Sequence, residues 1–152
     1  MSKICDMEWS LNRFLNELGS KRPAPGGGSA AAVAGSLGVE LGSKVCRILL
    51  ARRNLSPKSK AELKRSLKTL GQLSRELRRS IREDSQAYLG LLQALKTGRG
   101  ISSARRQATE APLCICDGAS KGRQLLRRLG VFAGPSLGSD LKAGEALLRG
   151  GL

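Results

Sequence analysis

The chain has 152 residues, enough to bury the core of one domain, and only one Trp, one Tyr and two Phe, so an aliphatic core of packed helices is expected. The formal charge of +15 predicts attraction to a polyanion: nucleic acid, an anionic membrane or a small polyanionic ligand, among which charge alone does not choose. Because the sequence contains no His, Ser-His and Cys-His catalysis within one chain are excluded.

Two helices are predicted in the first third of the chain. Residues 8–19 form a short amphipathic pattern, which is followed by Pro23, Pro25 and a run of three glycines. From Ser29 to about Arg53 the pattern is helical again. It carries a stripe of small residues at spacings of three and four, which we call the glycine stripe: Gly28, Ala31, Gly35, Gly38 and Gly42. We expect this stripe to allow close approach of a neighbouring helix.

The third predicted helix is the longest. Ser56 is suited to cap it and Pro57 to occupy its first position, and the helical pattern continues to about Thr97. Its apolar stripe alternates spacings of four and three, the period of a helical bundle. The stripe consists of Leu63, Leu67, Leu70, Ser74, Leu77, Ile81, Asp84, Tyr88, Leu91 and Leu95.

Two further helices complete the predicted fold. The fourth covers about residues 102–129, with Pro112 expected to kink it, and the fifth begins near Ser139 after a Gly/Pro loop at 130–138. The sequence contains no β-type alternation of useful length. The predicted fold is therefore all-α, an up-and-down bundle of about five helices with long third and fourth helices, in a single domain spanning 1–152.

The cysteines and the N-terminus predict a cytoplasmic protein without a bound metal. The Cys residues have no CxxC spacing, which argues against a zinc site, and we expect all of them to be reduced and mostly buried: Cys5, Cys46, Cys114 and Cys116. No apolar run reaches the roughly 18 residues that suggest a transmembrane helix. Asp6 and Glu8 lie where a secretory signal would have an apolar segment.

Asp84 lies on the apolar stripe of the third helix, between Ile81 and Tyr88, where the pattern predicts a Leu. A carboxylate that faces a core is costly unless it is paired or protonated, and desolvation favours the protonated form, as in general acids. Asp84 is therefore a candidate catalytic residue. The alternative is a buried Asp held by an Arg or a backbone amide.

Two predicted helix starts carry residues that would favour a negative charge at the helix N-terminus. The Gly-Gly-Gly-Ser segment at 26–29 opens the second helix, where backbone amides can bind an anion. It lacks the Lys-Ser/Thr of a P-loop, and a simple loop is the alternative. Asp140 follows Ser139 at the predicted start of the fifth helix, where the helix dipole favours a carboxylate and capping is the simplest interpretation.

A strongly basic segment runs from Arg52 to Arg82. It carries eleven Lys and Arg residues against Glu62 and Glu76, and most of the cations fall outside the apolar stripe. A solvated helix face explains this pattern, and a face that binds a polyanion is the functional alternative.

Four segments, in this order along the chain, resemble the cyclodeaminase/cyclohydrolase family. Residues 22–49 (RPAPGGGSAAAVAGSLGVELGSKVCRIL) are similar to its Pro-Gly-Gly-Gly-Ser-Ala segment, and residues 83–96 (EDSQAYLGLLQALK) to its Asp-Ala-x-Ala-Tyr helix. Residues 108–116 (ATEAPLCIC) resemble its Ala-x-x-Val-Pro-Leu helix, and residues 138–152 (GSDLKAGEALLRGGL) its Ser-Asp-containing helix. The family includes the C-terminal domain of formiminotransferase-cyclodeaminase and stand-alone methenyltetrahydrofolate cyclohydrolases.

The resemblance implies a dimerising all-α bundle that acts on a one-carbon derivative of tetrahydrofolate. The substrate would be 5-formiminotetrahydrofolate, which loses ammonia on ring closure, or 5,10-methenyltetrahydrofolate, which is hydrolysed to 10-formyltetrahydrofolate. No metal or redox cofactor is implied. The positions that carry over are the ligand-site residues Gly26, Gly27, Gly28 and Ser29 and the acidic site residues Asp84 and Asp140.

Two departures from the family leave a second hypothesis open. The family continues past the position of Leu152 with an Asn-Val-x-Ile-Asn-Leu helix and a further helix, so a core helix is expected to be missing, and the family is not usually this basic. The leading hypothesis is a cytoplasmic folate enzyme whose basic surface holds a polyglutamate tail. The alternative is a non-catalytic basic protein that binds folate, RNA or an acidic partner. Scarce aromatics and the lack of a nucleic-acid motif count against RNA.

Overall fold

The computed structural model describes residues 9–151, which form five helices and no strand. The helices are α1 (Leu11–Leu18), α2 (Gly27–Leu50), α3 (Pro57–Thr97), α4 (Ile101–Leu129) and α5 (Pro135–Arg149). The predicted all-α class and the long third and fourth helices are confirmed. The predictions made for Cys5, Asp6 and Glu8 concern residues outside the described range.

The bundle is built around α2, which packs against α3, α4 and α5. α2 and α3 run antiparallel, because Ser29 contacts Asp84 near one end of the pair and Glu40 contacts Ser74 further along. Short connections reverse the chain again between α3 and α4 and between α4 and α5. This arrangement is the predicted up-and-down topology.

The core is aliphatic, as the scarcity of aromatic residues predicts. Its largest fully buried apolar side chains are Leu49, Leu63, Leu70, Leu77, Ile115, Leu126, Leu129, Leu148, Val39 and Val45. α1 adds Phe14, which is also buried. Within residues 9–151, the structure contains no helix whose length and hydropathy would let it cross a bilayer.

The cysteines differ in their surroundings more than the sequence predicts. Cys46 is fully buried in the core, and this burial raises the pKa of its thiol to about 11, so the thiol stays protonated and unreactive at neutral pH. Cys114 is exposed on α4, so the expectation that the cysteines are mostly buried is wrong for this residue. On α4 only every third or fourth residue points into the bundle. Ile115 takes the inward position, so the neighbouring Cys114 points outward.

The boundaries of α3 follow the predicted signals. The Ser56 hydroxyl accepts a hydrogen bond of 3.1 Å from the backbone N–H of Ser59, and Pro57 occupies the first turn, where a missing N–H is harmless. After Thr97 the chain turns at Gly98, whose φ of 69° lies in the left-handed region that favours glycine.

The start of α5 differs from the sequence prediction. The helix begins at Pro135 with Gly134 as its N-cap, whereas the sequence placed its start near Ser139 and a loop at 130–138. The physical reason is the one that applies to Pro57: proline is favoured in the first turn of a helix. The Asp140 carboxylate consequently lies in the second turn, so its predicted capping role is wrong.

The glycine stripe allows the close contacts that its spacing predicts. A Cβ atom on Gly38 would lie only 2.7 Å from the backbone oxygen of Gly144 in α5. A Cβ atom on Gly42 would lie 2.5 Å from Cδ1 of Leu126 in α4. Gly35 is less crowded, because a Cβ atom there would lie 3.4 Å from Leu77, an ordinary contact distance. The stripe therefore sets how closely α5 and α4 approach α2.

Candidate functional site

A cleft of about 360 Å³ lies at the N-terminal end of α2, where the chain enters the bundle from the Pro-rich segment. Three parts of the chain meet there: the segment that leads into α2, the middle of α3 and the first half of α4. The lining residues are Pro23, Ala24, Gly26, Gly27, Gly28, Asp84, Ser85, Tyr88, Ala108 and Pro112. Three of the four segments that resemble the folate family therefore contribute to one cavity.

The glycines at this end of α2 leave its backbone accessible from the cleft. Gly26 is the N-cap in an extended conformation, and the helix begins at Gly27. The first amides of a helix have no acceptor within the helix and are available to a ligand. A Cβ atom on Gly26 or Gly27 would meet no other atom within 4 Å, so these two residues face open space. The predicted ligand-site glycines line the cleft.

Asp84 is placed by Gly28 and Ser29. Its carboxylate packs directly over Gly28, so closely that a Cβ atom on Gly28 would overlap it. The Ser29 hydroxyl donates a hydrogen bond of 2.9 Å to Oδ2 of Asp84. Asp84 is half-buried at the cleft, and the partner of its carboxylate among the described residues is this hydroxyl, not an Arg or a backbone amide. A carboxylate on the apolar stripe is thus accommodated by a cavity.

Ser29 lies behind Asp84 and not in the cleft itself. Its side chain is fully buried, whereas the three preceding glycines line the cavity. The structure therefore does not place Ser29 among the lining residues, and its role in the ligand site stays a prediction. The reason is helical geometry: Ser29 is the third residue of α2, and its side chain points toward α3, where it meets Ile81, Asp84 and Ser85.

Sequence reasoning missed six lining residues as site residues: Pro23, Ala24, Ser85, Tyr88, Ala108 and Pro112. Tyr88 is 45% exposed and lies one turn beyond Asp84 on the same helix, a position that the apolar stripe already indicated. Ala108 and Pro112 form the wall that α4 provides. Since Pro112 has no N–H, the carbonyl of Ala108 lacks its usual donor four residues ahead. The signal for this carbonyl without a helical donor was a proline inside an otherwise continuous helical pattern.

Within one subunit, Asp140 lies far from the cleft. Its carboxylate pairs with Lys44 Nζ at 2.9 Å, and Lys44 is sixteen residues beyond Gly28 on α2. At 1.5 Å per residue this separation is about 24 Å along the helix. The structure therefore does not bring Asp140 together with Asp84, the two acids that the resemblance implies.

The basic segment of α3 is exposed, and its first half lies at the other end of the bundle. Lys58 is twenty-six residues from Asp84, or about 39 Å along the helix. A second groove of about 390 Å³ lies at this end, between α3 and α4. Its lining contains three cations and one carboxylate: Lys58, Arg65, Arg128 and Glu62. We call this region the basic end.

No cluster of three or more Cys, Asp or Glu side chains suited to a metal ion is present in the part of the chain that the structure describes. The cleft offers one carboxylate, a phenol, backbone amides and apolar walls. This set can bind a planar polar molecule and move one proton, which is acid–base chemistry.

Comparison with known proteins identifies the family. A family model described as formiminotransferase-cyclodeaminase matches residues 10–152. The chain belongs to the formiminotransferase-cyclodeaminase family. The resemblance drawn from the sequence segments is confirmed, and all the lining residues of the cleft lie within the matched part of the chain.

Individual members of the formiminotransferase-cyclodeaminase family agree with this assignment. The chain is 32% identical over 118 residues to the methenyltetrahydrofolate cyclohydrolase of Methylorubrum extorquens, covering 70% of this chain and 56% of that protein. It is 27% identical over 157 residues to the formimidoyltransferase-cyclodeaminase of Mus musculus, covering 96% of this chain and 29% of that protein. The chain thus spans about half of the first relative and under a third of the second.

The fold also matches a solved member of the family. The crystal structure of formiminotetrahydrofolate cyclodeaminase from Thermotoga maritima superposes with a TM-score of 0.86 at 21% identity. The match covers 93% of this chain and 72% of that one. This similarity confirms the helical architecture.

Proposed function

We propose that this chain acts on a one-carbon derivative of tetrahydrofolate, as a methenyltetrahydrofolate cyclohydrolase or a formiminotetrahydrofolate cyclodeaminase. The observation that carries the proposal is the position of Asp84: a half-buried carboxylate in a cleft that it shares with the open, glycine-rich start of a helix. The family relatives named for these two reactions support the substrate class.

In the hydrolytic direction, Asp84 would act as a general base. Water adds to the methenyl carbon between N5 and N10, one proton of the water passes to the carboxylate, and the bond from that carbon to N5 breaks. N5 takes the electron pair of the broken bond together with the remaining hydroxyl proton, and the product is 10-formyltetrahydrofolate. A base within hydrogen-bond reach of the attacking water is what this step requires.

In the deaminating direction, the same residue would act as an acid. N10 attacks the formimino carbon of 5-formiminotetrahydrofolate, and the departing imino nitrogen receives the proton that N10 loses and a second proton from Asp84. Ammonia leaves with the electron pair of the broken carbon–nitrogen bond, and the ring closes to 5,10-methenyltetrahydrofolate. Both reactions therefore need one group beside the reacting carbon that can take up or release a proton. Neither needs a metal or redox cofactor, and we propose none.

The remaining lining residues are suited to hold the folate. We assign Gly26, Gly27 and Gly28 to the substrate-binding wall, where backbone amides can donate to a polar ring edge. The Tyr88 ring offers an aromatic surface for the planar pterin. The Ala108 carbonyl, left without a helical donor by Pro112, is an acceptor for a pterin N–H. A polyglutamate tail would add carboxylates that the cations of α3 attract.

An absorbance assay on the purified protein tests the proposal. A cyclohydrolase consumes methenyltetrahydrofolate, so the absorption band of this folate falls faster with the protein than in buffer alone. A cyclodeaminase forms methenyltetrahydrofolate from formiminotetrahydrofolate, so the same band rises while ammonia is released. The two activities thus change the same signal in opposite directions. Rates equal to buffer with both substrates would contradict the proposal.

Substitution of Gly28 by Ala is expected to lower turnover by about 10- to 100-fold, because misplacing a reacting group by an ångström costs on this order. The new methyl group would occupy the space of the Asp84 carboxylate and push it out of position. Gly90→Ala is the matched control, since it adds the same methyl group to α3 where no atom lies within 4 Å. Steady-state rates of both variants decide, and equal rates would contradict this role of Gly28.

We infer a homodimer, as the resemblance implies, and a cytoplasmic location, as the cysteines and the N-terminus predict. Leu37 and Ile48 on α2 are 53% and 40% exposed, and such apolar side chains on the central helix suit a contact with a second copy. A catalytic role for Asp140 would require the cleft of a second subunit, because within one chain its carboxylate is paired with Lys44 far from Asp84.

A non-catalytic function as an RNA- or acidic-partner-binding protein has one observation in its favour, the exposed cations of the basic end. A salt-dependent shift of RNA mobility, in a protein with no turnover on either folate, would favour this second function.

A further inference from the structure

The Ser29 hydroxyl has more hydrogen-bond partners than it can donate to. Its Oγ lies 3.1 Å from the backbone oxygen of Ile81, 2.9 Å from Oδ2 of Asp84 and 3.0 Å from Oγ of Ser85. Ser29 and Ser85 are 0% and 1% exposed, so solvent does not compete for these contacts. The group links the core side of α3 to the carboxylate that faces the cleft.

Counting hydrogens shows that the network has two arrangements. A serine hydroxyl has one hydrogen and two lone pairs. The Ile81 carbonyl can only accept, and an ionised Asp84 can only accept, so Ser29 donates to one of them at a time. The Ser85 hydroxyl can donate to Ser29 in either arrangement. A protonated Asp84, in contrast, can itself donate to Ser29 Oγ, which frees the Ser29 hydrogen for Ile81.

We propose that Ser29 is a positioning residue that holds Asp84 in place in both of its protonation states by switching the acceptor to which its hydroxyl donates. With Asp84 ionised, Ser29 donates to Oδ2. With Asp84 protonated, the carboxyl O–H donates to Ser29 Oγ, and Ser29 donates to the Ile81 carbonyl. The inference rests on the proposed role of Asp84 in proton transfer.

The arrangement matters because only one hydroxyl hydrogen turns when Asp84 gains or loses its proton. The heavy atoms keep the same contacts, so little reorganisation accompanies proton transfer. The titratable side chain that shares the cleft with Asp84 is Tyr88. The other elements packed around the carboxylate face it with Gly, Pro, Ala and Ser side chains at the cleft.

Ser29→Ala tests the proposal through turnover. We expect kcat to fall by about 10- to 100-fold with KM nearly unchanged, since the carboxylate is displaced while the cleft wall remains. Ser36→Ala is the matched control: Ser36 is also buried on α2, but its hydroxyl donates to the Ala32 carbonyl of its own helix.

A double-mutant cycle on unfolding tests it without turnover. Ser29→Ala and Asp84→Ala are combined, and stability is measured at about pH 3 and about pH 8, on either side of the usual carboxyl titration. Non-additive effects at both pH values are expected, because the two side chains are hydrogen-bonded in both states. Ser29→Cys, a weaker donor of similar size, serves in the same cycle if Ser29→Ala does not fold.

The outcomes separate this proposal from the proposed function. Coupling at both pH values in a protein without folate turnover would sustain the switch of Ser29 and overturn the enzymatic assignment. Coupling at pH 8 alone would show a single fixed hydrogen bond and overturn the switch. A fall in kcat for Ser36→Ala equal to that for Ser29→Ala would also overturn it, since loss of any buried hydroxyl would then suffice.

Discussion

Replacement of Asp84 by Asn is expected to lower folate turnover by about 10²- to 10⁴-fold while the melting temperature stays close to that of the wild type. The amide is nearly isosteric with the carboxylate and can still accept the hydrogen bond from Ser29, so the fold has no reason to change. It cannot exchange a proton at the reacting carbon centre. Initial rates with both folates and a thermal melt on the same preparation measure the two effects.

The matched control is Asp117→Asn, which removes an exposed carboxylate of α4 that lies outside the cleft and pairs with Lys121. Its turnover is expected to equal that of the wild type. If Asp84→Asn instead melts much earlier and turns over normally per folded molecule, Asp84 is a structural residue and the catalytic assignment fails. The structure already favours the first result, because the partner of Asp84 among residues 9–151 is a hydroxyl, and its substitution leaves no buried cation of that range unpaired.

Gly38→Ala should destabilise the fold by roughly 1–3 kcal/mol, the cost of overpacking in a core. Its Cβ atom would lie 2.7 Å from the backbone oxygen of Gly144 and 2.8 Å from Cγ of Leu148, so α5 has to move away from α2. Denaturant unfolding gives the change in the free energy of unfolding.

Gly90→Ala serves here as the opposite case. It is the same substitution within α3, where a Cβ atom meets nothing within 4 Å, so the better helix propensity of Ala should raise stability by about 1 kcal/mol. The two variants therefore differ in the sign of their effect. A Gly38→Ala protein as stable as Gly90→Ala would mean that the glycine stripe does not set the distance between α2 and α5.

Helical periodicity in the sequence was sufficient to predict the bundle. The alternation of four and three along α3 reports the buried face from Leu63 to Ile81, whereas Tyr88 and Leu95 further along are 45% and 49% exposed. Ser56 with Pro57 marks the start of that helix correctly. The start of α5 was wrong because Pro135 was interpreted as part of a loop, although proline is compatible with a first helical turn. Proline can either interrupt a helix or begin one, and the contacts around it decide which of the two occurs.

Periodicity was less informative about the glycine stripe. The spacing shows that Gly35 and Gly38 lie on one face, but it does not show which partner meets each of them. In the structure a Cβ atom on Gly35 would contact the end of a flexible Leu77 side chain, whereas one on Gly38 would meet backbone. The steric cost of a substitution therefore depends on tertiary contacts that a single sequence does not contain.

The candidate site was predicted in part. Asp84 stands out because a carboxylate interrupts an apolar stripe, and the structure explains this position by a cleft. The resemblance assigns Ser29 to the ligand site, yet the direction of its side chain from the helix buries it. Tyr88 and Pro112 required knowledge of how α3 and α4 meet. Residue type and spacing indicate the chemistry, while the direction of each side chain comes from packing.

The separation between the cleft and the basic end has a practical consequence. A molecule whose surplus cations crowd one end has a large electric dipole moment, so a sulfonate resin or a phosphate-coated sensor should capture it end-on, through residues such as Lys58 and Arg65. The cleft would then point into solution and remain open to folate. Moderate salt should release the protein again, because exposed charges are screened over about 10 Å at 0.1 M.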